Sequence, residues 1–567
     1  MSRGTHAREA FLRHAAHFAA QLAGASRLYS EQPQGIRDGL DTLDSNWENI
    51  RIGQEWCAVN AGNDVGAAGL CSAFADAGRS VLPFRLAPAE QLKWFNTALE
   101  AARQAGDRSA EIRHLLGVAY AHLEAADIGS FQSSNLAAER YAGEALELAR
   151  ATGHPDECLA LEILGIVHRE LGNTDAALRY FQEELEAAAK LDESSGERSR
   201  IRPVAMANTA EIYLSLGDLA EAERYYQEAL ANARHEMLQT SILAGLGDLY
   251  RRQNQTARAI SCHECLLEIS RGIQSARAER IALSALGEDY LQTGDTLKAI
   301  GYFEQVLSVS RETGARRGEE TAHGFLGQAY AQAGDYEQSF RCHERQAAIA
   351  RELGNPEDEC SALGNMAYAL KRMGDFPGAV RWYAKCLGLA TQCSNKHHQS
   401  IALSGLGTSY FAMGDTDQSI KYLQLDLATE REAENYEGHA HTWNNLAVAY
   451  SRKGLHGKIV ESLNNVLGIA RKIGDRRLEA ETLFKLAIDC MEDPRWGWCR
   501  MLDLYDASQL GHQPDVTRAV SNAELAAEIL EELQDSRAAN VRETARAWRS
   551  TWRARGVEFR PVPPSPL

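Results

Sequence analysis

The chain has 567 residues, 44% of them hydrophobic and 24% charged, with 78 Asp+Glu against 60 Lys+Arg and a formal charge of −18. So much apolar side chain excludes disorder as the main state, and the acidic balance argues against a nucleic-acid surface spread over the whole molecule. At roughly 100–200 residues per domain the length would correspond to several domains, unless the chain is an array of repeats that never closes a single core.

The first residues, MSRGTHAREAFLRHAAHF, contain no apolar signal-like core. No window approaches the ~18 uninterrupted apolar residues of a membrane span, so no membrane association is expected. The 11 cysteines are odd in number and unevenly spaced. That usage suits a reducing compartment, and a cytoplasmic location is expected. Residues 12–24 and 36–58 read as amphipathic helices joined by a loop with Gln32, Pro33 and Gly35. They define an N-terminal helical module, residues 1–66, that stands outside the pattern that follows.

That pattern is a repeat. ALGEDYLQTGD (285–295), FLGQAYAQAGD (325–335), NMAYALKRMGD (365–375), GLGTSYFAMGD (405–415) and NLAVAYSRKGL (445–455) align without gaps, and Gly294, Gly334, Gly374, Gly414 and Gly454 recur every 40 residues. Leu286, Leu326, Met366, Leu406 and Leu446 give a first helix an apolar face, and each is followed by Gly or Ala (Gly287, Gly327, Ala367, Gly407, Ala447). So small a residue in mid-helix costs propensity and predicts close approach of another helix. Three residues on, Tyr290, Tyr330, Tyr410 and Tyr450 supply aromatic packing, with Leu370 as the exception. Glycine then ends the helix in the left-handed region, and Asp starts the next. A second helix, marked by Ala299, Phe303 and Leu307 or by Ala379, Tyr383 and Leu387, runs to a further Gly at 314, 354 or 474.

Each helical hairpin leaves an apolar face that only the next hairpin covers. The pattern continues upstream through 163–173, 208–218 and 245–255, where Asn254 replaces the turn Gly. Residues 114–120 open a repeat whose turn is enlarged near 126–135, and 483–490 open the last. About ten hairpins fit between residues 67 and 535.

The Leu-Gly, Tyr, Gly-Asp, Ala, Phe/Tyr succession resembles the tetratricopeptide repeat, in the 40-residue form of kinesin light chains, Pins-type modulators and the sensor arms of bacterial STAND-type regulators. The resemblance implies an all-α fold, a right-handed α-solenoid whose concave wall is built from the first helices and binds peptides or proteins. Leu12-Arg13-His14, Phe18, Leu43, Asn46, Asn49-Ile50-Arg51 and Trp56 look like the helical segment that joins the ATPase module to the repeat arm in STAND regulators. No G-x-x-x-x-G-K-[ST] accompanies it; Gly454-Leu-His-Gly457-Lys458 has the wrong spacing and falls on a repeat turn.

Near the other end, a stretch of about 492–516 with Trp496, Trp498 and Tyr505 interrupts the last repeat; it reads as a packed insertion or a secondary partner contact. Arg542, Arg546, Arg549 and Arg553 share one face of a final helix, with Val541, Trp548 and Trp552 on the adjoining stripe. Residues 537–567 carry seven Arg and two Glu, a net +5, so the rest of the chain carries −23. We read 536–556 as a basic capping helix, its Trp stripe docked on the last repeat and its Arg row solvated or against the acidic body. Residues 557–567 read as a disordered tail.

No catalytic signature appears. Cys262-His-Glu-Cys265 has no second ligand pair nearby for zinc, and Cys262 shares its place in the repeat with Cys342, eight residues past the turn residue. Repetition of a packing position is the simpler reading, so neither metal nor cofactor is expected. His397, His398, His439 and His441 fall between helices, where solvated or capping roles are expected, and the carboxylates read as scattered over helix exteriors. The chain is therefore expected to be non-catalytic.

Polarity is informative along the concave wall that the resemblance implies. With the small residue as position eight, the inward positions hold Asn208, Glu211, Asp248, Arg251, Arg252, Glu288, Gln292, Gln328, Gln332, Asn365, Lys371, Arg372, Thr408, Asn444, Asn445, Arg452 and Lys485. Asn208, Asn365 and Asn445 share position six, where peptide-binding members of the family often carry an Asn that clamps the ligand backbone. Lys371, Arg372, Arg452 and Lys485 could receive an acidic segment or a terminal carboxylate. The expected function is a protein- or peptide-binding scaffold or sensor working with a separate effector protein, for which a product encoded nearby is the candidate, in bacterial regulation. The alternative is a Rap-type peptide-responsive regulator acting on a response regulator through its N-terminal helices.

Overall fold

A computed structural model of the protein describes residues 2–31, 35–126, 131–191, 196–433, 435–492 and 516–554. Every regular element among them is helical, 25 α-helices and a 3-10 turn at Leu82–Phe84. The N-terminal helices are α1 (Ser2–Glu31), α2 (Gly35–Asn60), α3 (Val65–Gly78) and α4 (Pro88–Ala105). Hairpins follow: α5 (Arg108–Ala126) with α6 (Phe131–Thr152), α7 (Glu157–Glu170) with α8 (Thr174–Ala189), α9 (Gly196–Leu216) with α10 (Leu219–Asn232), and α11 (Glu236–Arg252) with α12 (Thr256–Gly272). Next are α13 (Ala276–Thr293) with α14 (Thr296–Glu312), α15 (Arg316–Ala333) with α16 (Tyr336–Leu353), and α17 (Pro356–Arg372) with α18 (Phe376–Gln392). The series ends with α19 (Lys396–Ala412) and α20 (Thr416–Glu432), α21 (Tyr436–Arg452) and α22 (His456–Ile473), α23 (Arg476–Glu492) and α24 (Val516–Glu532), and a last helix α25 (Ala538–Arg553). The fold is an all-α solenoid of helical hairpins, divided into two compact units, Met1–Gln305 and Val306–Leu567.

In the first unit one continuous core runs from Ala15 of α1 to Ala188 of α8, with Leu43, Ile50, Phe74, Leu115 and Leu161 fully buried within it. The two predicted N-terminal helices are both present, each longer than its apolar pattern. Asp64 accepts from the backbone N–H of Gly66 and Ala67 at the start of α3, and Arg8 of α1 donates to both its oxygens at 2.5 and 2.8 Å. That pairing with Arg8, chiefly its hydrogen bond, holds the Asp64 carboxyl at about 2.

The turns follow the expected chemistry. Gly294, Gly334, Gly374 and Gly414 have φ between 84° and 88°, and Asn254 takes the same region at 57°. Asp218, Asp295, Asp335, Asp375 and Asp415 then each accept from the backbone N–H three residues on, capping the second helix. Gln274 and Ser394 reach positive φ where other second helices end at Gly314, Gly354 or Gly474, so that turn does not depend on glycine.

The small residue of the first helix has a more specific cause than the approach of another helix. A Cβ added to Gly287 would lie 2.3 Å from Phe303, to Gly165 2.4 Å from Phe181, and to Gly247 2.2 Å from the His263 ring. In each case a ring 16 residues on, from the second helix of the same hairpin, lies over the glycine.

At the end of the second unit, Val541, Ala545 and Trp548 of α25 pack on α23 and α24, with Trp548 stacked 6.5 Å from Phe484. Arg542 donates to Glu531 at 2.6 Å and Arg549 pairs with Glu524, so half the Arg row lies against acidic α24 while Arg546 and Arg553 are exposed. The side chain of Trp552 lies outside the described ones, as do Trp496, Trp498 and Tyr505.

Candidate partner-binding face

The sequence-predicted polar positions sit on first helices, and many of them join one first helix to the next. In the first unit Glu211 of α9 pairs with Arg169 of α7. Arg251 of α11 is held at 2.5 Å both by Asp248 and by Glu288 of α13, with Asp289 3.7 Å away. Gln292 of α13 donates to the Arg251 carbonyl and to Asn254. Burial raises the Glu288 and Glu211 carboxyls, against the opposing pull of Arg251 and Arg169. Arg252 is exposed, and Asn208 is half-buried with its Nδ2 unpaired among the described residues.

The face in the second unit has a different character. Lys371 of α17 donates to Thr408 of α19 at 3.2 Å, Lys485 of α23 donates to Asn444 of α21 at 3.0 Å, and Arg452 of α21 donates to the Phe411 carbonyl with its guanidinium 3.5 Å from the Phe411 ring centroid. Arg372 donates to the Tyr368 hydroxyl and lies 4.7 Å from the Tyr336 ring centroid. Among the described residues none of these four cations is paired with a carboxylate. Burial, then Arg372, lowers the Lys371 ammonium. Asn365 and Asn445 are half-buried, Gln328 and Gln332 exposed, and Tyr368, Ile401 and Val448 expose apolar surface between the polar groups.

Two features correct the expectations. His398 is buried at 7% exposure, not solvated. The carboxylates are not confined to helix exteriors either: Glu184, Asp289, Glu320, Asp426 and Glu430 are buried. They occupy core positions that hold Val306 or Cys386 in other repeats, or meet across helices, and a single-residue period cannot distinguish such sites from exposed ones. Two grooves also went unforeseen. One of about 830 Å³ runs along α6 and α8 beside Glu144, Arg150 and Glu183, and one of about 760 Å³ along α20 and α22 is walled by Leu427, His439 and Trp443. Both are lined mainly by second helices, away from the predicted positions.

One constellation deserves chemical scrutiny. Ser72 Oγ lies 2.7 Å from His114 Nε2, and His114 Nδ1 3.7 Å from Asp76, a nucleophile–base–acid order. Asp76 is instead engaged by Arg113 at 3.0 Å. Ser72 sits inside α3, where helix hydrogen bonds occupy the backbone N–H groups that could stabilise an oxyanion. Burial lowers the His114 imidazole to about 4, so it is a poor base. Of the cysteine pair, Cys262 is partly buried against the core around Tyr226 and Cys265 is exposed; among the described residues no group of three or more His, Cys, Asp or Glu is arranged to hold a metal. No described helix is long and apolar enough to cross a membrane.

Family models of the tetratricopeptide repeat match residues 160–195, 205–238, 238–312, 284–341, 318–392 and 358–427. No curated protein matches the sequence. Similar solved structures include the STAND protein with a tetratricopeptide repeat sensor from Pyrococcus horikoshii, 16% identical, covering 75% of this chain and 65% of that one with a TM-score of 0.48. BtubC (BKLC) from P. vanneervenii is 22% identical over 39% of this chain and 92% of its own, TM-score 0.37. A Rap protein complexed with competence and sporulation factor is 14% identical over 65% of this chain and 99% of its own, TM-score 0.39. The six matches fall within residues 160–427, and the helical hairpins of that part of the chain are tetratricopeptide repeats.

Proposed function

We propose that the protein is an interaction scaffold that holds an extended segment of another protein along its first-helix face, and that the second unit takes an acidic stretch of that partner. The general role comes with the repeats, which imply protein–protein interaction. The acidic preference rests on one observation: within a chain of net charge −18, Lys371, Arg372, Arg452 and Lys485 lie along one set of helices with no carboxylate partner among the described residues. Cations left unpaired on an acidic molecule attract an anionic ligand, and carboxylates are what a protein offers them. Asn365, Asn444 and Asn445 add amides that can both donate to and accept from a peptide backbone. Exposed Tyr368, Ile401 and Val448 supply apolar contact between these polar groups.

Affinity would be the sum of several modest contacts, and neighbouring repeats can adjust their mutual angle as the ligand docks. The test is selection from a peptide library by the full chain and by an Asn365→Ala/Asn445→Ala/Arg452→Glu variant. Acidic peptides should be enriched by the wild type and lost by the variant, with binding weakened by salt. Equal retention by both proteins would place the binding face elsewhere.

A further inference from the structure

Beneath this face, α19, α20 and α21 meet at four buried side chains. Asp426 of α20 is fully buried, with Glu430 one turn on at 6% exposure. Ser400 Oγ of α19 lies 2.6 Å from Asp426 Oδ1 and is also hydrogen-bonded to Glu430 Oε1. Thr442 Oγ1 of α21 lies 2.7 Å from the other Asp426 oxygen. Counting hydrogens decides the chemistry. Ser400 has one hydroxyl hydrogen and two carboxyl partners, so one of those contacts needs a proton on a carboxyl group.

We propose that Asp426, Ser400, Glu430 and Thr442 form a proton-dependent joint that fastens α19, α20 and α21 when one proton is held on Asp426 and loosens when it leaves. In the closed state Asp426 Oδ1–H donates to Ser400, Ser400 O–H donates to Glu430, and Thr442 O–H donates to Asp426 Oδ2. Every hydrogen then has an acceptor. Without that proton the one Ser400 hydrogen can serve Asp426 Oδ1 or Glu430 Oε1 but not both, even with Thr442 still donating to Asp426 Oδ2, and water must enter to solvate the carboxylate that Ser400 leaves.

Among the described residues no cation is paired with these carboxyls to replace the proton. From α19, Ser404 faces Asp426, while Lys396 pairs with Glu432 and His398 senses Glu357 and Asp358 of α17. From α21, His439 is the titratable neighbour; it senses Glu430 and Arg431, and burial lowers its imidazole. Among the described residues neither Asp426 nor Glu430 has an ion-pair partner. Burial, reinforced by Glu430, raises the Asp426 carboxyl to about 6, so the transition falls near neutrality.

Hydrogen exchange on the full chain between pH 5 and pH 8, corrected for intrinsic rates, tests the joint. Protection over 396–452 should fall at least about tenfold across that range while 276–293 holds constant. Asp426→Asn places an amide N–H where the acid proton sits and should remove the pH response; Ser400→Ala should leave the segment weakly protected at both pH values. His439→Gln should retain the wild-type response. A response unchanged in Asp426→Asn, or lost in His439→Gln, overturns the proposal. If Asp426→Asn fails to fold, Glu430→Gln provides the second reading: it removes the like charge and should move the transition to lower pH, and an unmoved transition also overturns the proposal.

Discussion

Tyr410 lies flat on Tyr422, with ring centroids 5.4 Å apart and planes 1° from parallel. The arrangement recurs in Tyr213 on Tyr225, Tyr290 on Tyr302 and His168 on Tyr180, all with a 12-residue spacing. A cation covers the stack in each hairpin: Arg179, Arg224, Lys298 and Lys421 lie within 4.1 to 5.8 Å of a ring centroid. The two helices of a hairpin are thus clasped near their turn by a cation and two rings.

Removing one ring should loosen one hairpin and little else. Tyr422→Ala is expected to cost about 1–2 kcal/mol, from lost stacking and part of the apolar burial. Because each repeat touches only its neighbours, the loss should appear as faster hydrogen exchange in α19 and α20, with distant helices unchanged. Cys342 holds the second-ring position opposite Tyr330, so Cys342→Tyr should slow exchange in α15 and α16.

Gly287→Ala should destabilise despite the roughly 1 kcal/mol helix-propensity gain of alanine. Its Cβ would come 2.3 Å from the fully buried Phe303 ring, and overpacking of that kind costs about 1–3 kcal/mol. Gly407→Ala meets the flexible Leu423 at 2.6 Å and should cost less. Urea titration of the two variants beside the wild type checks the order. An equal shift would mean that the ring does not set the size of this position.

The repeat itself was legible because it is written in spacing: the turn glycines, the capping aspartates and the small residue all recur at fixed offsets. The clasp was half legible. Tyr290 and Tyr410 stood out as a column, while Tyr302 and Tyr422 share theirs with Cys262, Cys342 and Trp382 and so did not look like one feature. The unpaired cations could be named from their helix register, yet their lack of carboxylate partners depends on what neighbouring helices present. Buried carboxylates were the least visible. Asp426 and Glu184 stand where other repeats place Val306 and Cys386, and only the surrounding helices show that no solvent reaches them.

Glu320 should make stability fall as pH rises. It is buried at 2% exposure on α15, and burial, followed by the nearby Asp358, raises its carboxyl to about 7 from an ordinary 4.5. A carboxyl with a raised folded value contributes stability that is complete below about 4.5 and lost as pH climbs through about 7. Glu320→Gln should therefore match the wild type near pH 5 and unfold at a higher urea concentration at pH 8. A variant less stable at pH 8 would show that Glu320 is better solvated than its position implies.

Lys371 separates binding from stability. Its ammonium is half-buried, lowered by burial and by Arg372, and its polar contact across the helices is one neutral hydroxyl, that of Thr408. A cation kept in such a place gives the fold little, because desolvation offsets one hydrogen bond. Lys371→Met preserves the stem and removes the charge, so stability should change by no more than about 0.5 kcal/mol, or rise. An acidic peptide selected by the wild type should bind the variant several-fold more weakly, with a shallower dependence on salt. If Lys371→Met instead unfolds the α17–α19 region and leaves peptide affinity intact, Lys371 is a structural cation and the acidic segment must be held by Arg372, Arg452 and Lys485.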